Sequence, residues 1–328
     1  MSLVIRKILV IRFSSIGDIV LTTPVLRGIR AKYPNAQLHV VTKPSMASLL
    51  HANPNVDKII TLNNSLLTTV SELRSQQYDV IIDLHNNLRT AIIKLLLVGV
   101  KSFSFDKQNI NKWFMVKFKR KKSITHVVQR YLECAANIGV EDDGLGLDFY
   151  IEERNNLNLS TELLPIHYIA LVIGAKFKTK QLPLTKLIEL CNAIPQSIVI
   201  IGGKEDVTLA QQLLAALPAN KAIHNTCGKY NLQQSASLLQ QAQSVITHDT
   251  GMMHIASAFN KKIISVWGNT TPAIGFSPYL PATAPKAIII QNNNLSCRPC
   301  SKIGFMQCPQ GHFNCMNALN MVEITQHI

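Results

Sequence analysis

Long apolar runs are missing from this sequence. No stretch reaches the roughly 18 residues that a membrane span needs, so nothing in it reads as a transmembrane segment. Acidic residues are scarce, with 19 Asp and Glu against 33 Lys and Arg, a net charge of +14. That balance calls for an acidic partner, with nucleic acid, anionic lipid and phosphorylated glycans as the classes to weigh. No recognisable nucleic-acid module accompanies the charge. Low-complexity segments and short-period repeats are absent, which removes disordered and solenoid architectures. No G-x-G-x-x-G follows the first apolar strand, a poor fit for a Rossmann dehydrogenase. No Asp-x-Asp pair is present for a nucleotide-bound metal. Seven cysteines in a chain of this size do not make a secreted disulfide framework, and Cys134, Cys191 and Cys227 are scattered as buried thiols would be.

What is there is globular. Hydrophobic residues make up 47% and charged ones 16%, and 328 residues suit two domains of ordinary size. The N-terminal MSLVIRKILVIRF is only superficially like an export signal. Arg12 interrupts its apolar run, and polar Ser14 and Ser15 follow with no small-residue cleavage site. It reads as the first strand of a cytoplasmic protein.

Lys7 to Phe13 is expected as a buried parallel strand, followed by a turn over Ser14 to Asp18. The helix after it contains Pro24, tolerable only in a first turn, so it should start near Thr22 or Thr23. Further strands are expected at 38–42, 57–62 and 78–84, the last ending in polar His85, Asn86 and Asn87. Helices are expected near 45–52, 66–76, 90–98 and 126–138, with Gly139 as a C-cap. From Leu145 to Leu164 periodicity is poor, and the interdomain linker belongs there. A second βα series follows, with strands at 168–173 and 197–201 and helices at 184–194, 207–217 and 232–242. Two successive doubly wound domains make a two-lobed α/β molecule with a cleft between them.

The chain is organised around Val245 to Pro278. A strand ends in His248, Asp249, Thr250 and Gly251, a helix follows to Phe259, and a second strand, Ile263 to Trp267, ends in Gly268, Asn269, Thr270, Thr271 and Pro272. Both polar turns then lie at the carboxyl ends of parallel strands, where open α/β sheets bind ligands. Asp249-Thr250-Gly251 would open a helix whose free N–H groups and dipole favour phosphate. The plainer reading is that Asp249 or Thr250 merely caps that helix.

HDTGMMHIASAF followed by VWGNTTP resembles the signature of the ADP-heptose lipopolysaccharide heptosyltransferases, glycosyltransferase family 9. The matching positions are Asp249, Thr250, Gly251, His254, Gly268, Thr270 and Pro272. RFSSIGDIVLTTP, from Arg12 to Pro24, resembles the N-terminal motif of the same family. Gly174-Ala175 with Lys180-Gln181-Leu182-Pro183 is similar to its Gly-Ala…Lys-Arg-Trp-Pro stretch, with Leu182 in place of Trp and Ile173 in the usual Pro position. The resemblance is strong at both ends of the chain and weak between Leu88 and Leu164.

It implies the GT-B architecture, two doubly wound Rossmann-like domains facing a cleft. An acceptor-binding domain over 1–155 and a nucleotide-sugar domain over 156–328 are expected. It implies an inverting glycosyltransferase that moves a heptose or related sugar from an ADP-sugar to a lipopolysaccharide core or similar glycan, with no further cofactor. Asp18 takes the position of the general base, although on spacing alone it is an N-cap beside a turn glycine. Lys180 aligns with a lysine on the donor phosphates, while Lys176 or Lys178 could take that place. Gly202-Gly203-Lys204-Glu205-Asp206 resembles a family turn whose carboxylate, Asp206 or Glu205, could accept the ribose hydroxyls. His254, Gly268 and Thr270 complete the expected donor site.

Cys297, Cys300, Cys308 and Cys315 begin with a spacing found in zinc sites and also resemble the family's C-terminal cysteines. Structural zinc, free thiols and a facultative disulfide all remain open, with no metal expected in catalysis. Lys101 to Lys122 holds eight basic residues against one acidic, interleaved with Phe103, Phe105, Trp113, Phe114 and Phe118. It is either a solvated loop or an amphipathic segment for anionic lipid or acceptor phosphate, at the inner face of the inner membrane. The enzyme alternative is another nucleotide-sugar chemistry such as a 2-epimerase. From a different class, a non-catalytic two-lobed ligand-binding protein would share the architecture.

Overall fold

The computed structural model describes residues 5–119 and 124–328. It divides into two compact units, Met1–Lys107 with Thr125–Glu152, and Gln108–Ile124 with Glu153–Ile328. The division at Glu152 falls inside the stretch of poor periodicity. The basic segment 108–124 groups with the second unit, whereas a boundary at 155 would have left it in the first.

The first unit is built on five parallel strands, β1 Lys7–Ile11, β2 Gln37–Thr42, β3 Lys58–Thr61, β4 Val80–Asp83 and β5 Lys101–Ser104, in the order β3-β2-β1-β4-β5. KILVI and VIID are buried almost throughout, as strands covered by helices on both faces must be. Leu9, Ile11, Ile81, Leu73 and Ile93 close the core on one side. Sheet order reverses between β1 and β4, and Ile11 lies opposite Asp83 in their register. The loops after these two strands therefore leave the carboxyl edge side by side, at a switch point.

After β1 the expected turn is itself a short helix, Ile16–Val20, before the longer Thr23–Lys32 with Pro24 in its first turn. The helix Val127–Ala135 tightens into a 3₁₀ turn and ends at Gly139, whose φ of +76° marks the left-handed cap. The expected helix near 45–52 is a 3₁₀ helix, Pro44–Leu49.

The second unit holds six parallel strands, β6 Ile169–Val172, β7 Ile198–Ile201, β8 Ile223–Asn225, β9 Ser244–His248, β10 Lys262–Trp267 and β11 Ile288–Gln291, in the order β11-β10-β9-β6-β7-β8. Its switch point is between β6 and β9. Leu171, Ile200, Ile246 and Val266 form the centre of its core, and Met321 and Ile324 of the last helix join it. Three outer strands, β5, β8 and β11, lie beyond the expected set. All are short and only partly buried; KSFS and IHN lack the apolar run that marks a central strand, while IIIQ is apolar but only four residues long. Among the described residues no helix is long and apolar enough to cross a membrane.

Candidate active site

In the first unit the two loops at the switch point carry a charged cluster. Asp18 occupies the third position of the short helix that Ser15 opens. Its Oδ2 accepts the Ser15 amide at 3.0 Å and the Ser15 hydroxyl at 2.7 Å, and its Oδ1 lies 2.7 Å from Arg12 Nη2. The capping contact is therefore real, and Asp18 is also one half of an ion pair. Arg12 is buried, and donates to Leu84 O at 2.6 Å and Ser14 O at 2.8 Å. Burial opposes its charge, but Asp18, then Tyr131, more than offset this, and its pKa is raised. Asp83 ends β4, fully buried, and accepts the amides of His85 at 3.0 Å and Asn86 at 2.7 Å while pairing with Lys94 at 2.8 Å. It shapes the loop that follows.

In the second unit, Lys180 comes from the loop after β6, Asp249 from the end of β9 and Thr270 from the turn after β10. Lys180 Nζ lies 2.6 Å from Asp249 Oδ2, which also accepts the Thr270 hydroxyl at 2.9 Å. Geometry sorts the three candidate lysines, since Lys178 Nζ is on Gln181 Oε1 at 3.1 Å and Lys176 Nζ is over the Phe177 ring. Gly251 opens the helix Gly251–Ala258, and Thr250 sits at its N-cap without a side-chain capping bond. Among the described residues the Thr250 hydroxyl is buried without a hydrogen-bond partner. Neither Asp249 nor Thr250 caps the helix as its main contact. His254 is buried on the same helix.

Three further candidates are packed within these loops. Gly268 is a packing glycine, because a Cβ there would come within 2.4 Å of Thr179 O and 2.8 Å of Met316 Cε. Thr270 is buried and acts on Asp249. Asp206 is 2% exposed and accepts the Gly203 amide at 2.9 Å, with Gly174 packed so closely that any Cβ would strike its Oδ2. Burial raises its pKa. Glu205 is the exposed carboxylate of this turn. It lines a cleft of about 380 Å³ with Lys178, Gln181, Leu182, Thr208 and Gln212.

Reading motifs alone missed Asn269 and Arg298. Asn269 is 2% exposed, yet neither polar atom of its side chain has a hydrogen-bond partner. Arg298 lies between two of the four clustered cysteines and grips the turn after β10. All seven cysteines are free, and burial pushes the Cys300 and Cys315 thiols up to about 11. Cys297 Sγ is 3.9 Å from His312 Nε2. Among the described residues no group of three or more His, Cys, Asp or Glu side chains is gathered closely enough to hold a metal ion.

Three histidines, His39 and His248 buried and His85 half-buried, give the fold a pH dependence. Burial first, and nearby cations second, lower the pKa of His39 and His85 to about 4, and burial lowers that of His248 to about 4. His248 Nε2 accepts the Leu182 amide at 3.0 Å, a role open only to the neutral ring. Each folded pKa is depressed below the unfolded value near 6.5, so the unfolded chain binds more protons between those limits. Their contribution is complete above about pH 6.5 and is lost as pH falls through about 4. Thermal melting from pH 8 to pH 4 should be flat at first and then drop steeply below 6.5. A His248→Gln variant should show a shallower drop, and an equal slope would mean His248 is protonated in the fold.

Two successive Rossmann-like sheets, with polar loops gathered at their carboxyl edges, make an α/β fold of the GT-B type. The family model of glycosyltransferase family 9 (heptosyltransferase) matches residues 67–310. Lipooligosaccharide heptosyltransferase 2 of Haemophilus influenzae is 28% identical over 314 residues, covering 87% of this chain and 88% of that protein. A glycosyl transferase family 9 structure from Veillonella parvula has a TM-score of 0.78 at 20% identity, covering 100% of this chain and 97% of the other. The E. coli heptosyltransferase WaaC with ADP has a TM-score of 0.70 at 17% identity, covering 98% of each chain. These two structural likenesses concern the fold. The chain belongs to glycosyltransferase family 9, the heptosyltransferases, and is a glycosyltransferase.

Proposed function

We propose that this enzyme transfers a heptose from ADP-heptose to a sugar of a lipopolysaccharide core, with inversion at the anomeric carbon. Asp18 takes the proton of the acceptor hydroxyl. The hydroxyl oxygen bonds to the anomeric carbon as its bond to the diphosphate breaks, and ADP leaves. Negative charge growing on that diphosphate is met by Lys180 and by the N–H groups at Gly251, with the Thr250 hydroxyl donating beside them. Glu205, which lines the cleft after β7, is the carboxylate offered to the ribose, and Asp206 fixes the loop that presents it. The observation that carries this reading is the Lys180–Asp249–Thr270 network beside the orphaned Thr250 hydroxyl at a helix N-terminus. The relative crystallised with ADP supports adenosine as the nucleoside. A panel of ADP-, UDP- and GDP-sugars with lipopolysaccharide core acceptors, read by mass spectrometry, tests it. Heptose should appear on the core only with the ADP donor. Donor turnover without any acceptor would instead indicate an epimerase, and binding without turnover a non-catalytic receptor.

We further infer that the enzyme meets its acceptor at an anionic lipid surface through the helix Asn109–Phe118. Trp113 and Phe118 are 50% and 52% exposed, and with Phe114 their rings pack into one cluster with centroids 5.1–5.5 Å apart. Met115 and Lys112 anchor the helix from its buried side, Lys112 Nζ lying 5.0 Å from the Phe276 ring centroid. Arg120, Lys121 and Lys122, expected to meet the phosphates, lie outside the described residues. Lys119 donates to Pro299 O at 2.7 Å and is better left intact. Each basic side chain near an anionic surface contributes about 1 kcal/mol. Replacing Trp113 and Phe118 with Ser, and Arg120 to Lys122 with Gln, should abolish flotation with anionic liposomes and raise the KM for a lipid-linked acceptor. High salt should mimic the basic substitutions. A variant that floats as the parent does would leave this segment a solvated surface.

A further inference from the structure

The turn that carries Thr270 is gripped by a residue that the transfer chemistry above does not use. Arg298 donates to Gly268 O at 2.5 Å, Thr270 O at 2.7 Å, Trp267 O at 3.4 Å and Gln291 Oε1 at 3.0 Å, and also to Asn292 O. Three of these five acceptors are backbone carbonyls of the single turn 267–270. The neighbouring chain holds the same turn from other directions. Cys300 N–H donates to Asn269 O at 2.9 Å, and Asn269 N–H donates to Thr179 O at 3.4 Å. Thr179, one residue before Lys180, exchanges hydrogen bonds with the backbone of Phe305 at 2.8 Å. The cysteine-bearing segment is thus a strap across both loops that supply the lysine and its partners.

All five acceptors of Arg298 are neutral oxygens, and burial lowers its pKa. Holding a half-buried cation without a carboxylate is costly, and a core of apolar residues would serve mere packing better. A guanidinium does something that an apolar residue or a lysine cannot. Its planar fork fixes several carbonyls at once in one geometry.

We propose that Arg298 is a positioning residue for the donor diphosphate, acting through Thr270 and Asp249 on Lys180. The guanidinium sets the 267–270 turn so that the Thr270 hydroxyl meets Asp249 Oδ2, and Asp249 in turn aims the Lys180 ammonium. With the turn loosened, Thr270 no longer fixes the carboxylate, and the lysine is held by a side chain free to swing. The inference rests on the reading of this edge as the diphosphate site.

Calorimetry with ADP and steady-state kinetics on Arg298→Gln, Arg298→Lys, Thr270→Val and the Arg298→Gln/Thr270→Val double variant test it. Arg298→Gln should weaken ADP about tenfold, the scale on which neighbouring residues couple. Arg298→Lys should recover only part of this, and KM for the acceptor should stay at the parent value. Thr270→Val should weaken ADP similarly, and the double variant should be no worse than Thr270→Val alone. A purely structural role predicts additive losses, or a fall in Tm with ADP affinity unchanged, and either result overturns the proposal. If Arg298→Gln does not fold, Arg298→Lys with and without Thr270→Val runs the same cycle. A parent protein that binds no ADP sinks the donor reading and this inference with it. A parent that binds ADP, with Arg298 variants unchanged, sinks the inference alone.

Discussion

Replacing Asp18 with Asn is expected to cut heptose transfer about 10²-fold or more, the usual effect of losing a general base, while ADP affinity stays at the parent value. Asp18 is the third residue of a helix that Ser15 caps, and an Asn oxygen there can still accept the Ser15 amide that Asp18 Oδ2 accepts at 3.0 Å. The substitution keeps that contact and removes two things, the ability to take a proton and the ion pair with Arg12. Arg12 keeps its bonds to Ser14 O and Leu84 O, so it is not left without acceptors. Ser15→Ala is the matching control. It removes the hydroxyl that donates to Asp18 at 2.7 Å and leaves the carboxylate and its ion pair intact. Losing a cap costs roughly 1 kcal/mol of stability, with little effect on rate. Kinetics and thermal melts on both variants separate the two roles. If Asp18→Asn turns over near the parent rate and only melts earlier, Asp18 is a capping residue and another group is the base.

The two switch points were legible because their strands are. KILVI, VIID, IALV and SVITH are buried on both faces, and such strands announce themselves as apolar runs that give way to loops. Motif spacing then placed Asp18, Lys180, Asp249 and Thr250 on the loops that follow. Burial within a loop was not legible. Asp206 and Glu205 are adjacent acids in one turn, and only packing against Gly174 and Gly202 decides which of them turns inward. The outer strands stayed hidden for the opposite reason. KSFS carries one half-buried Phe103 between exposed residues, and a basic surface segment looks the same in sequence. Arg298 escaped because its partners are main-chain carbonyls about 30 positions away, which leave no pattern in side-chain types. The four cysteines around it drew attention to themselves, while the arginine between them makes the side-chain contacts with the turn after β10.

Lys180→Met should have the largest effect in the second unit, lowering kcat/KM for the ADP-sugar about 10²–10³-fold, the scale seen when a donor to developing charge is removed. Two losses combine. The ammonium that would stand against the diphosphate is gone, and Asp249 loses the cation now 2.6 Å from its Oδ2. Asp249 would keep the Thr270 hydroxyl at 2.9 Å, but one neutral donor does not balance its charge. Its side chain is only 13% exposed, so solvent screens it poorly. A bare carboxylate would then face the incoming diphosphate and repel it. This gives the prediction a sign that simple loss of a lysine lacks. Adding Asp249→Asn to Lys180→Met should partly restore ADP binding, because the repelling charge disappears while the amide can still accept from Thr270. Asp249→Asn alone should weaken ADP about as much as Thr270→Val does and lose turnover, since its lysine is no longer aimed. Calorimetry with ADP at two salt concentrations reads the difference, as screening should help Lys180→Met more than the double variant. If Lys180→Met binds ADP as the parent does, the diphosphate sits elsewhere and the Lys180–Asp249 pair only ties two loops together.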